Sequence, residues 1–246
     1  LTPDMIDAGS YDLEGPVTLS ISPTSVDCDD VMAPVIAILT VTDTDGNTNQ
    51  CWTEITVVDH TIPTAVCYSL VHVSLDAFGQ ASIGPEVLDA GSSDNCEMYF
   101  SLSQSNFDCS DIGSNNVNMY VYNYGEDPIN YCWSEVIIED KIGPTAICQA
   151  QVNLSLDASG QATLTPDMID AGSYDNCSID LFLLSESSFD CDDIGETVVQ
   201  MKTIDAGGNV NSCWSKVYIE DKMPPVAVCQ STVHLRLNLE GKAVLT

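Results

Sequence analysis

The chain has 246 residues, with 37 Asp or Glu against 6 Lys or Arg, for a formal charge of −31. Charge of that sign excludes nucleic acid as a partner and makes an anionic membrane surface a poor one, while 44% hydrophobic content argues against disorder. No apolar run approaches the length of a bilayer span. Residues 1–10 lack the basic and apolar regions of a signal peptide, so an export signal is expected outside this stretch.

A fixed period decides the architecture. Cys67, Cys148 and Cys229 lie 81 residues apart, as do Cys51, Cys132 and Cys213, each of the latter followed by Trp. The chain therefore divides into a partial module at 1–60 lacking its first strand, complete modules at 61–141 and 142–222, and the first strands of a further module at 223–246. Residues 1–12 (LTPDMIDAGSYD) are identical to 164–175, and 226–246 supply the opening portion that the first module lacks. A window cut from a longer repetitive protein is the expectation, with completion of the first module by a neighbouring subunit as the alternative.

In chain order, each module opens on period-two alternation: Val71, Val73 and Leu75, then Val152, Leu154 and Leu156, then Val233, Leu235 and Leu237. This predicts a half-buried strand. A turn (DAFG, DASG or NLEG) and a second strand (QASI or QATL) follow, and the second strand is expected to pair with the first. The loop DAGSYDNC reads as turn chemistry. MYFSLS and SIDLFLLS predict a third strand, and SNFDCSDIG and SSFDCDDIG a corner. The last part, TVVQMKTIDAGGNVNSCWSKVYIED, predicts a hairpin about its Gly-Asn turn, with equivalents at DTDGN (43–47) and NYGEDP (123–128). About seven short strands per module and no helical period predict an all-β sandwich. Proline at each junction (HTIPTAVC, KIGPTAIC, KMPPVAVC) stiffens it, since proline fixes φ and ends a strand, so the array is expected to be a rod.

Eleven cysteines with no CxxC pair and no Cys/His cluster read as disulfides. The compartment is then oxidising, which means cell surface, periplasm or medium, and the protein is expected to be secreted and extracellular or surface-borne.

The ordered set PTAICQAQVNLSLDASGQATL, SYDNC and FDCDDIGETVVQMKTIDAGGNVNSCWSKVYIED resembles the hyalin repeat (HYR), in the cysteine-rich form of secreted Bacteroidota surface proteins. The resemblance spans essentially the whole chain. It implies immunoglobulin-like β-sandwich modules and an extracellular structural or adhesive role, and it implies no enzyme. Departures are the Trp after the late cysteine, the NYGEDP turn, and the lack of a cysteine near Glu14 or Gly15.

Four cysteines per complete module allow three pairings. In a sandwich of this kind the first strand runs parallel to the last, which pairs Cys67 with Cys132 and Cys148 with Cys213. The minimal two-cysteine hyalin repeat resembles that pairing. Cys96–Cys109 and Cys177–Cys191 are left, and Cys28 is then a free thiol. The rival pairing is Cys28–Cys51 with Cys191–Cys213.

Carboxylates recur at both ends of each module, and hard oxygen donors suit Ca²⁺. The candidate ligands are Asp43, Asp45, Asn47, Asp59, Asp94, Glu139, Asp140, Asp175, Asp205, Asn209, Glu220 and Asp221; the bland reading is that they are solvated turn formers. DTDGN resembles the start of an EF-hand loop but lacks the downstream Glu. Trp52, Trp133 and Trp214 are expected to cap a sheet edge or disulfide, with sugar binding as the alternative. His72 and His234 share one outward strand position.

The function expected is the shaft of a surface fibre, filament or long adhesin, without catalysis. Its partners are neighbouring copies of itself, and surface glycans or proteins are further candidates. The alternative is a set of ligand-binding adhesion modules that recognise carbohydrate or a protein partner through loops and the three Trp positions.

Overall fold

The computed structural model describes residues 1–123 and 130–243. They group into two units: Leu1–Gly143 with Asp175–Ser178 and Asp205–Asn209, and Pro144–Tyr174 with Ile179–Ile204 and Val210–Thr246.

The first unit begins with a three-stranded antiparallel sheet of β1 (Thr18–Ser22), β2 (Val35–Thr42) and β3 (Thr48–Ile55), in the order β1-β2-β3. Six strands follow: β4 (Leu70–Ser74), β5 (Gln80–Ser82), β6 (Tyr99–Leu102), β7 (Asn106–Asp108), β8 (Gly113–Tyr122) and β9 (Asn130–Glu139). They form a mixed sheet, β4-β9-β8-β6, and a two-stranded sheet, β5-β7. β4 lies parallel to β9, with Val71 opposite Val136, and the other pairs are antiparallel.

Period-two alternation sets which side chains enter the core. On β9, Ser134, Val136 and Ile138 are buried whereas Tyr131 and Trp133 are exposed. Leu75, Ile83, Leu88 and Phe107 meet Val117, Met119, Val121, Val136 and Ile138 to form the core. The fold is an all-β sandwich of a larger mixed sheet and a small antiparallel one, with the immunoglobulin-like feature that the first strand lies parallel to the last.

The second unit repeats this order. Its elements are β10 (Gln151–Ser155), β11 (Gln161–Thr163), a one-turn helix α1 (Pro166–Ile169), β12 (Ile179–Leu184), β13 (Ser188–Asp190), β14 (Gly195–Asp205) and β15 (Val210–Glu220). The sheets are β10-β15-β14-β12 and β11-β13, and β10 is parallel to β15. Val152, Leu154, Leu156, Leu164, Ile169, Phe189, Val199, Met201, Val217 and Ile219 make the core. The turn between β10 and β11 is tied by Asp157, whose carboxylate accepts from the Ser159 and Gln161 amides at 2.8 and 3.0 Å. The Ser159 hydroxyl and these amides hold that carboxyl below its usual range. Proline at the first two junctions is buried and pinned, Asn130 Nδ2 donating to the Pro63 carbonyl and Asn211 Nδ2 to that of Pro144, both at 2.8 Å, whereas Pro224 and Pro225 at the third are exposed.

Three expectations are corrected here. The second strand of a copy does not pair with the first; β5 pairs with β7 and β11 with β13. The stretch expected as a plain corner supplies that partner, so each full copy has six strands. The chain crosses to the other layer after β4 and β10 because each of those strands joins the last strand of its own copy instead of forming a hairpin. The strand expected at Val233–Leu237 is not formed, and Val233, Leu235 and Leu237 are exposed. Its two equivalents rest on a parallel partner downstream in their own copy, and no such strand follows among the described residues. The expected turn at 123–128 lies, beyond Asn123, outside the described residues.

Candidate functional site

The repeat junctions concentrate the polar chemistry of the chain. Cys67 bonds Cys132 and Cys148 bonds Cys213, each across a separation of 65 residues. Each of these bonds joins the segment before the first strand to the last strand of the same copy. The other two disulfides are Cys28–Cys96 and Cys109–Cys177, each with a separation of 68. They tie the corner of one copy to the DNC loop of the next. The expected Cys96–Cys109 and Cys177–Cys191 bonds are therefore not made, Cys28 is not free, and neither Cys28–Cys51 nor Cys191–Cys213 forms.

The reason is positional. The loop holding Cys96 reaches back to the preceding junction, where Asn95 Nδ2 lies 3.3 Å from Asp59 Oδ1. The turn holding Cys109 reaches forward, with its sulfur 3.8 Å from the Asn176 carbonyl. Two cysteines directed at different junctions cannot pair with each other, whatever their spacing in sequence. Cys51, Cys191 and Cys229 are the free thiols among the described residues.

The Asp pairs around each corner cysteine have a local role. In a 3₁₀ turn at Cys109–Asp111, Asp108 accepts from the Ser110 amide while Asp111 accepts from the Asp108 amide, at 2.8 and 2.9 Å. The same reciprocal cap recurs at Asp27/Asp30 and Asp190/Asp193. These acids fix the direction of the cysteine. Gly79 completes the seat: its φ is +71°, and a Cβ there would stand 2.4 Å from Cys109 Sγ, so only glycine admits the disulfide.

Beside the Cys109–Cys177 bond, Asp140, Asp175 and Asp205 each place a carboxylate oxygen within 4.8 Å of the others. Asp140 follows β9, Asp175 lies in the DNC loop and Asp205 ends β14. Asp140 and Asp205 are only 4% and 2% exposed. Asp140 Oδ1 accepts from the Ile142 amide at 3.0 Å and from Asn176 Nδ2 at 3.2 Å. Asn209 donates through its amide and Nδ2 to the two Asp205 oxygens at 2.7 and 3.0 Å, and Nδ2 also reaches the Asp140 carbonyl at 2.9 Å. Asp140 Oδ2, Asp175 Oδ1 and Asn176 Oδ1 are buried with no hydrogen-bond partner. Gly207 passes so close that a Cβ would lie 2.5 Å from the Asp140 carbonyl oxygen.

The preceding junction repeats the arrangement with Asp59, Asp94 and Asn123. The Thr61 amide, aided by Asn95, holds the Asp59 carboxyl below its usual range. Asp59 Oδ2, both Asp94 oxygens and Asn123 Oδ1 are buried without a hydrogen-bond partner. Asn123, 3% exposed, donates to the Thr61 carbonyl at 2.5 Å.

The twelve candidate ligands thus sort by position. Asp140, Asp175, Asp205 and Asn209 come together, as do Asp59 and Asp94. Glu139 and Glu220 face outward and meet Lys141 and Lys222 at 2.7 Å. Asp43, Asp45 and Asn47 close a hairpin turn, with Asp43 accepting from Asn47 Nδ2 at 2.8 Å. Asp221 is exposed and accepts from the Met223 amide at 2.8 Å. Two participants, Asn176 and Asn123, are not among the expected residues; the signal for Asn123 is that it directly follows β8, much as Asp205 closes β14.

The three Trp side chains stand out into solvent, Trp52 on the edge strand β3 and Trp133 and Trp214 on the inner strands β9 and β15. Trp52, Trp133 and Trp214 are 71%, 59% and 60% exposed. Alternation explains this: Cys132 and Cys213 turn inward against the cores, so the next residue turns out. On the outer face of β6, β8 and β9, Trp133 is joined by Tyr99, Tyr120, Tyr122 and Tyr131, with the Tyr120 and Tyr131 rings 6.2 Å apart.

No protein-family model and no curated protein matches the chain. Solved structures similar to it include cadherin domains 1–4 of protocadherin gamma B7, at 13% identity over 84% of this chain and 67% of that one, with a TM-score of 0.33. Immunoglobulin domains 1–4 of sidekick-1 match at 7% identity over 83% and 67%, with a TM-score of 0.37. Domains EC1-2 of human mucin-like protocadherin match at 9% over 65% and 98%, with a TM-score of 0.36. Likeness this distant assigns no function. Among the described residues no helix is long and apolar enough to cross a membrane.

Proposed function

We propose that the protein is an extracellular structural repeat protein of hyalin-repeat type, forming the shaft of a surface fibre, filament or long adhesin, with no catalytic role. One observation carries this reading: the disulfides Cys28–Cys96 and Cys109–Cys177 join each copy of the repeat to the next. A domain that acts alone gains nothing from such ties, whereas a load-bearing array does. Their formation calls for an oxidising compartment.

The partner this reading assigns is another copy of the repeat. β3 has no parallel strand on its outer edge among the described residues, and Cys51, at the position of Cys132 and Cys213, is unbonded. Residues 226–243 carry the opening sequence of the repeat, with Cys229 at the position of Cys67 and Cys148. Laid parallel on β3, such a segment would repeat the β4–β9 pairing and close a Cys51–Cys229 bond, whether it comes from a second chain or from an adjoining stretch of a longer polypeptide. Immunogold electron microscopy of the native surface, with antibody raised against residues 61–222, is expected to label fibres along their length. Label restricted to fibre tips, or to material without fibres, would reject the shaft.

The exposed aromatic face around Trp133 favours a second reading, carbohydrate capture, since sugar rings stack on such surfaces. On that reading a glycan array shows binding that Trp133→Ala abolishes; the shaft reading expects no array signal.

A further inference from the structure

We propose that Asp140, Asp175 and Asp205 form a Ca²⁺ site, with a weaker sister site at Asp59, Asp94 and Asn123. Three carboxylates with oxygens within 4.8 Å of one another repel strongly, the more so because Asp140 and Asp205 are almost wholly buried. No basic side chain offsets them: the ion pairs among the described residues engage Glu139, Glu196 and Glu220 instead. A bound cation resolves the repulsion.

The second, independent sign is unspent acceptor capacity. Asp140 Oδ2 and Asp175 Oδ1 are shut away from solvent and accept no hydrogen bond, as does Asn176 Oδ1 on the amide that contacts Asp140. Buried acceptors are ordinarily satisfied. Three such oxygens, two within the carboxylate cluster and one on the neighbouring Asn176, point to a ligand that takes electron pairs and offers no proton.

The donor set selects the ion. All candidate atoms are oxygens, which excludes soft metals and leaves the hard divalent cations. Three carboxylates and an amide, with water completing the shell, suit the six to eight ligands and flexible geometry of Ca²⁺ better than the strict octahedron of Mg²⁺. At the sister site Asn123 stands where Asp205 stands in the other, which removes one negative charge. Affinity of such sites follows ligand charge, so the site at Asp140 is the tighter one. Each site draws its ligands from the end of one copy and from two loops of the next, beside the staple that joins the same two copies. The cation would therefore lock the junction that the disulfide tethers.

The test is calorimetric titration of CaCl₂ into the oxidised, EDTA-treated full chain, with thermal unfolding in parallel. Two sites are expected, with dissociation constants on the order of 10⁻⁴ to 10⁻³ M or tighter, together with a rise in melting temperature at saturation. Asp205→Asn should weaken the tighter site roughly tenfold or more while the sister site is unchanged. The variant is expected to fold, because Asn occupies the equivalent place at 123. Asn123→Asp should strengthen the sister site by a comparable factor. The proposal is overturned if about 10 mM Ca²⁺, well above the range for extracellular modules, yields neither heat nor a shift in melting. It is equally overturned if both variants titrate as the parent does. Neither result bears on the shaft, whose evidence is the disulfide connectivity.

Discussion

Trypsin is expected to cut the oxidised chain after Lys141, whose side chain is 64% exposed, without releasing anything from residues 1–216. The described lysines and arginines are Lys141, Lys202, Lys216, Lys222, Arg236 and Lys242. A cut after Lys141 falls inside the loop closed by Cys109–Cys177, and one after Lys202 inside the loop closed by Cys148–Cys213. On a non-reducing gel the digest should run as one species near the size of residues 1–216. With reductant the same digest should fall apart into the 1–141 and 142–202 pieces. The effect is all or none, and it discriminates sharply. Bonds confined within each copy would leave 1–141 free of 142–216 after the first cut, so separation without reductant would defeat the connectivity and with it the shaft.

The second large effect is expected at Phe189. β11 and β13 are three residues each, and a two-stranded sheet that short does not persist by itself. Phe189, 3% exposed on β13, anchors that sheet to the larger one in a core that includes Leu164, Met201 and Val217. Phe189→Ala should cost about 3–5 kcal/mol through lost burial and the cavity left behind. In a module of this size that is a large share of the net stability, and the melting transition of this copy should fall by roughly 10 °C or more. Amide exchange should localise the loss to residues 148–220, with the Phe107 copy untouched. A cost under about 1 kcal/mol would mean that the small sheet is held by something other than this ring.

Much of the fold was legible because alternation and period are properties of the chain itself. Val152, Leu154 and Leu156 announced a strand, and the hairpin of β14 and β15 was visible in its Gly-Asn turn. The pairing of β11 was not, since a three-residue strand carries too few side chains to specify a partner, and the nearest strand in sequence was the natural candidate. The cysteines show the same limit at larger scale. Connectivity depends on which junction a loop faces, and this is settled only when the layers are built. One clue was present: Cys28 persists in a copy lacking a counterpart of Cys177, as it must if its partner belongs to the following copy. The carboxylate cluster was legible as recurring acids but not in its membership. Glu139 and Asp140 are adjacent in sequence, and alternation sends the first toward Lys141 and the second into the protein.

The four disulfide loops, 28–96, 67–132, 109–177 and 148–213, overlap in succession. Under tension the shortest covalent route from Cys28 to Cys213 is therefore not the backbone. It crosses to Cys96, follows the chain to Cys109, crosses to Cys177, returns to Cys148 and crosses to Cys213. At the fully extended rise per residue that route spans about 150 Å, against about 600 Å for the continuous chain. Even with every strand pulled apart, the stretch from Cys28 to Cys213 would yield only about a quarter of its contour length, so its slack is limited by covalent bonds rather than by folding stability.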